Sequence, residues 1–404
     1  MNQKEVAELR RRWKPDKCAA TRIYGCYVNP SGEIVADLDE PLGMMPPEEQ
    51  ELYLNHLKKA LSGTLGKHLL DVVFSTAQVQ DSDEHRLLSA LRDSELQDGE
   101  ARHNFYEKVR ESLNLGGQSY LLLMAHDAYD VPRRRRDNSE ADSENVFNYF
   151  LCAICPIKEA RPHLGYFPGD NEFHFTDGQT VCPPDVGFLF PAFDDRTANI
   201  YNALYYTRKP DELHQEFLDA IFQIDPLLSA GEQRVAFENA LQDALGEGCT
   251  MEVFQAIHER LADRLAAHRE SRDPETLTLL ASDVCAMLID CGVGKAEAEA
   301  FRVRCDDAFG KDAALNPANI IDPGRFQVRT SQATLSLDPE SSYLMETRVL
   351  EGKSYILIPA EQDVEVNGLP VRLLTAVENG DETDVTPVVT EDLPVETVGE
   401  NIEE

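Results

Sequence analysis

Apolar residues change their spacing along the chain, and each change predicts a different element. Val6, Leu9 and Trp13 recur at helical spacing, and Lys14-Pro15 closes that helix because a residue before proline leaves the α region. Two β-rich runs, Thr21 to Val28 and Glu33 to Leu38, flank Asn29-Pro30-Ser31-Gly32, which suits a type I turn and predicts a hairpin. Pro46-Pro47-Glu48-Glu49 opens a helix whose buried stripe is Leu54, Leu57 and Leu61. A short strand follows from Asp71 to Ser75. Asp81 to Leu115 reads as two helices, one presenting Leu87, Leu88 and Leu91, the other Phe105, Val109 and Leu113. Ser119 to Ala125, Phe147 to Ile157 and Val186 to Phe190 are apolar on both faces, the pattern of central strands.

From Asp211 the spacing turns helical for about a hundred residues. The stripes Leu213/Phe217/Ile221, Phe254/Ile257/Leu261/Leu265, Leu277/Leu280/Val284/Leu288 and Phe301/Cys305/Phe309 give about five helices ending near Gly310. Asn316 to Leu374 is β-rich again, with Glu351-Gly352 and Asn367-Gly368 as turns. Thr375 to Glu404 holds ten acids and no Lys or Arg, a composition that predicts disorder. The fold expected is α+β. It comprises a mixed-sheet domain over 1–208, a helical segment over 209–312, a small β-rich unit over 313–374 and an acidic tail over 375–404.

Aromatic residues concentrate between Asn145 and Arg208, and large rings bury the most apolar area, so the core is expected there. The charge narrows the partners. Against 38 basic side chains stand 73 acidic ones, a formal −35 in 404 residues. Such a field repels phosphate backbones and anionic bilayers, which disfavours nucleic acid and membrane surfaces as partners. No run approaches the length needed to span a bilayer, and the N-terminus lacks an apolar leader region. Nine scattered cysteines read as reduced thiols, so a cytoplasmic protein is expected.

Several long strings are shared with one family. LRRRWKPDKCAATRIYGCYVN, SGTLGK, YLLLMAHDAYDVP, YFLCAICPIK and GFLFPAFDDRTANIYNALYYTR resemble an uncharacterised family of bacterial cytosolic proteins defined only as a domain of unknown function. The resemblance runs up to about the helical segment. It implies a bacterial origin and brings no activity, cofactor or catalytic residue.

Chemistry is sparse. His126, Asp127 and Asp130 follow one central strand, and Asp194, Asp195 and Arg196 follow another. Carboxylates beside a histidine and an arginine at strand ends suit Mg²⁺ and a phosphate; the plainer reading is turns and caps, with Asp195 capping TANIYNALYY as a helix. Cys152 and Cys155 form a C-x-x-C, with His163, His174 and Cys182 downstream, which is soft-ligand chemistry for zinc. Residues three apart in a strand face opposite ways, which favours two buried structural thiols. Ser62-Gly63-Thr64-Leu65-Gly66-Lys67 has a glycine-rich look, but its helix precedes the loop and His68 stands where a P-loop has Ser or Thr. Arg133 to Arg136 could contact nucleic acid or an acidic partner; the plainer reading is a solvated loop, held by the chain's own acidic tail, and the net charge weighs against nucleic acid.

Two functional readings follow. One is a non-enzymatic binding or regulatory protein with a protein partner or small ligand and no cofactor. The other is an enzyme that uses a divalent metal on phosphorylated or nucleic-acid substrates through the two strand-end groups.

Overall fold

The computed structural model describes residues 1–134, 140–159, 163–169, 171–176, 178–360, 364–366 and 369–371. The chain divides into two units, Met1–Tyr343 and Leu344–Glu404. The first begins α1 (Gln3–Arg12), β1 (Arg22–Val28), β2 (Ile34–Pro41), α2 (Pro47–Lys59), β3 (Leu69–Val73), α3 (Thr76–Asp81), α4 (Asp83–Asp93), α5 (Gly99–Ser112), β4 (Tyr120–Arg134) and β5 (Glu140–Glu159). It continues through β6 (His163–Phe167), β7 (Glu172–Thr176), β8 (Gln179–Val181), β9 (Val186–Phe190), β10 (Ala192–Asp194), β11 (Thr197–Asn199) and β12 (Asn202–Thr207). Then come α6 (Gln215–Phe222), α7 (Ala230–Leu245), α8 (Met251–Ser271), α9 (Ala281–Asp290), α10 (Lys295–Phe309), α11 (Pro317–Ile320), β13 (Phe326–Arg329) and β14 (Thr334–Leu337).

The main sheet is antiparallel, in the order β2-β1-β4-β5-β9-β12-β3, with β8 attached to β5. Its central strands are covered on both sides, which is why they read as continuous apolar runs. On one face Cys26, Leu122, Met124, Phe150, Cys152 and Phe188 pack beneath α4, α5 and α6. On the other Leu123, Tyr149, Leu151, Cys155, Leu189 and Leu204 pack beneath α1 and α2. Close approach has a cost in side chain. A Cβ on Gly187 would fall 2.8 Å from the Cβ of Ala60 and 2.6 Å from the carbonyl oxygen of Cys152, so glycine lets the end of α2 reach the sheet.

Helix α6 joins the sheet through Phe217, Leu218, Ile221 and Phe222. Helices α7 to α10 close a separate core around Phe237, Leu261, Val284, Leu288 and Phe301. The second unit holds two described hairpins, β15 (Glu346–Leu350) with β16 (Lys353–Leu357), and β17 (Val364–Val366) with β18 (Leu369–Val371). Glu351-Gly352 forms the first of these turns with both φ angles positive, as a two-residue hairpin turn requires. Asn367-Gly368 and the acidic segment from 375 lie outside the described residues.

The concentration of aromatics divides. Phe147, Tyr149, Phe150, Phe188, Phe190, Phe193 and Tyr205 are fully buried, whereas Tyr166, Phe173, Phe175 and Tyr201 are exposed. The core therefore lies in β5, β9, β10 and β12, and the β6–β7 hairpin is outside it. A second expectation also changes. Thr197 to Thr207 is not a helix capped by Asp195 but two strands, because β12 fills the gap between β9 and β3. Asp195 and Arg196 have φ of 47° and 59° and make the tight β10–β11 turn.

Candidate functional site

Helix α1 starts with a capping box, the Asn2 side chain accepting from Glu5 N while Glu5 accepts from Asn2 N. Val6, Leu9 and Trp13 bury its apolar stripe. The polar residues beside that stripe, Glu5, Glu8 and Arg12, fall on the same side at i, i+3 and i+7 and meet the sheet as well. Arg12 donates from Nε and Nη2 to the two carboxylate oxygens of Asp127, at 3.0 and 3.1 Å. Ala19 N donates to Oδ1 at 2.8 Å and the Tyr149 hydroxyl to Oδ2 at 2.7 Å. Each oxygen of this fully buried carboxylate thus receives two donors, which fills its lone-pair directions.

The lattice extends outward. The Arg12 guanidinium lies 4.2 Å over the Tyr129 ring, and the Tyr129 hydroxyl donates to Glu8 at 2.6 Å. Arg196 donates through Nη1 to Glu8, through Nη2 to the Pro132 carbonyl at 2.9 Å, and through its backbone N to Glu5 at 3.3 Å. Burial pulls the Arg12 guanidinium down, but the hydrogen bonds and charge of Asp127 outweigh it and leave Arg12 above its ordinary value. Burial, reinforced by Asp127, pushes the Tyr149 hydroxyl well up, and burial with the bond to Glu8 raises Tyr129 to about 12. Arg12 stays charged and the two tyrosines stay neutral across neutral pH.

The two strand-end groups therefore do meet, through Glu8, Arg196 and Pro132, but as a clamp on α1. Asp194 accepts from Asn199 at 3.2 Å and lies 3.8 Å from the Met1 amine. Asp130 and Asp195 are exposed. His126 stands apart: strand alternation places it on the opposite face from Asp127, in line with Leu122 and Met124. There it lines a cleft of about 90 Å³ with Thr21, Arg22, Tyr24, Glu95 and Gln97. Its Nε2 is buried without a hydrogen-bond partner, and burial holds the imidazole below its ordinary value.

Glu95 reaches this cleft at a conformational cost. Helix α4 ends in a Schellman motif, with Leu96 N donating to Leu91 O and Glu95 N to Arg92 O. Glu95 occupies the left-handed position of that motif at φ 53°, where glycine is the unstrained choice.

The cysteine pair behaves as strand alternation requires. Cys152 lies in the core under α4–α6 and Cys155 in the core under α1 and α2, so the two thiols cannot share one ion. Burial raises both thiols well above their ordinary value. Cys155 Sγ lies 3.8 Å from His56 Nδ1. Cys182 is part-exposed beyond β8, His174 is on β7, and the side chain of His163 lies outside the described residues, as do those of Arg133 to Arg136. Among the described residues no three His, Cys, Asp or Glu side chains gather as metal ligands. After Gly66 only Lys67 and His68 precede β3, so the Ser62–Lys67 stretch leads into a strand and has no helix N-terminus to offer a phosphate.

Sequence reasoning missed Glu5, Glu8, Arg12, Glu95 and Tyr149 as members of these clusters. A signal was present for the first three, charged positions flanking a buried stripe, but nothing local names their partners. Over residues 1–369 the chain matches the family described as a domain of unknown function, DUF4317. The chain belongs to this family. The match takes in α1, the whole main sheet, all the described helices and the C-terminal strands as far as the first residue of β18, farther than the strings quoted above suggest. No curated protein matches the chain. Among the described residues, no helix is long and apolar enough to cross a membrane.

Proposed function

We propose that this is a cytosolic, non-enzymatic binding or regulatory protein. The observation that carries the reading is the carboxylate of Asp127, whose acceptor positions are all taken by Arg12, Ala19 and Tyr149. A metal-dependent hydrolase needs carboxylates with free oxygens a few ångströms apart, and a general base needs an acceptor within reach of substrate. Asp127 has neither property, and Arg196 is already committed to Glu8 and Pro132. The net charge of −35 directs binding toward a protein or a small neutral or basic ligand and away from polyanions.

The test is hydrolysis of p-nitrophenyl phosphate and of a fluorogenic single-stranded oligonucleotide, each with Mg²⁺ or Mn²⁺, beside calorimetry of the ions alone. The expected result is no turnover and no stoichiometric ion binding. Metal-dependent hydrolysis that disappears in Asp194→Asn, while the melting temperature stays unchanged, would establish the enzymatic reading instead.

A further inference from the structure

The β6–β7 hairpin sorts its side chains with unusual severity. Its register sets Leu164 opposite Phe175 and Tyr166 opposite Phe173, and directly opposed residues in an antiparallel pair share a face. Leu164, Tyr166, Phe173 and Phe175 therefore form one contiguous apolar face, and Gly165 opposite His174 belongs to the other. The four are 71%, 50%, 65% and 68% exposed. Tyr166 and Phe173 already lean together, ring centroids 5.1 Å apart, and the Tyr166 hydroxyl is tied to Asn171 at 2.6 Å. The hairpin forms a separate two-stranded sheet beyond the β5–β8 pairing, and neither of its strands pairs with another described strand.

Two physical arguments say this face is covered in the working protein. A lone two-stranded hairpin is marginal in water unless something packs on it. Contiguous exposed rings of this size mark an interaction surface. Lipid and nucleic acid do not suit a molecule of charge −35. At about two-thirds exposure the four side chains offer roughly 500 Å² per copy, so two copies face to face remove up to about 1,000 Å², the floor for a biological interface and the size of a weak, concentration-dependent one. A two-fold contact brings the same patch of each copy together, so one apolar face supplies both halves of the interface.

We infer that the face formed by Leu164, Tyr166, Phe173 and Phe175 is a dimerisation surface whose occupant is the same hairpin of a second copy. The surface is separate from the His126 cleft and from the α1 clamp, and the inference does not rest on the reading proposed above.

Sedimentation velocity on the full chain, over a range of concentrations and at low and high NaCl, tests it. The wild type is expected to form a dimer that rises with concentration and is strengthened by salt, because screening relieves repulsion between two acidic copies. Phe173→Ser/Phe175→Ser is expected to weaken association at least about a hundredfold, with an unchanged circular dichroism spectrum. Met44→Ser, at a still more exposed apolar residue elsewhere, should leave the dimer intact. If the double variant fails to fold, Leu164→Ser alone carries the comparison. A wild type that stays monomeric throughout, a dimer that survives the hairpin substitutions, or one that salt dissolves would each overturn the inference; the last two would assign association to another surface or to a charged contact.

Discussion

Two sets of rings lie within one stretch of sequence and meet opposite fates. Phe188 and Phe190 of β9 are fully buried between β5 and β12, while Phe173 and Phe175 of β7 stand in solvent. Composition does not separate them; neighbours do. Strand β9 is paired along both edges and covered on both faces, and its sequence Val-Gly-Phe-Leu-Phe is apolar throughout. Strand β7 alternates, Glu-Phe-His-Phe-Thr, with one apolar face, and among the described residues it pairs with no strand other than β6. Alternation against continuity is the signal that distinguishes a ring held in the core from a ring offered outward.

That contrast breaks most visibly at Phe188. Phe188→Ala removes a ring packed edge-on against Phe105, Phe150 and Phe222, and should cost about 3–5 kcal/mol in urea denaturation. Asp127→Ala comes next. It strands Arg12 beside a buried tyrosine, and about 3 kcal/mol of stability should be lost. Trp13, the single tryptophan, packs edge-on to Tyr149 and reports the event, so a red-shifted emission should accompany the loss. An unshifted spectrum would show that α1 stays docked without its clamp.

Acid gives a smaller, graded effect. Burial holds His56, His68, His126, His214 and His258 below the ordinary imidazole value. A group whose folded value is depressed stabilises the protein above its unfolded value, and that contribution fades as pH falls through the folded one. The melting temperature should therefore decline from about pH 6.5 downward, well before the carboxylates titrate. A flat profile over that window would mean these rings are hydrated. Glu95→Gly should act in the opposite direction, adding about 0.5–1 kcal/mol by relieving the left-handed backbone. Least of all is Phe175→Ala, expected within about 0.5 kcal/mol when measured dilute enough to be monomeric. A loss there comparable with Phe188 would place the hairpin in the core.

Much of the scaffold was legible because its signals are local. The stripe Val6, Leu9, Trp13, the β1–β2 hairpin, the helices α4 and α5, and five helices after Asp211 all follow from spacing and turn chemistry. The opposite placement of Cys152 and Cys155 follows from the period of a strand. The clamp was not legible in the same way. His126 and Asp127 look like one group in sequence and occupy opposite faces of the sheet, while Asp127 and Arg12, 115 residues apart, form one unit. Thr197 to Thr207 shows the other failure: its residues tolerate a helix, and only the vacancy between β9 and β3 makes them strands.

The clamp on α1 also has a consequence in time. Arg196 is added to the chain 188 residues after Glu8, and Asp127 is added 115 residues after Arg12. At usual rates of synthesis α1 leaves the ribosome roughly ten to forty seconds before the last of its partners exists. During that interval α1 has its capping box but not its whole clamp, and for most of it Trp13 lacks the Tyr149 ring it packs against. Docking of the first helix is thus among the final events of building the sheet domain, and the emission of one tryptophan marks the moment the newborn chain closes.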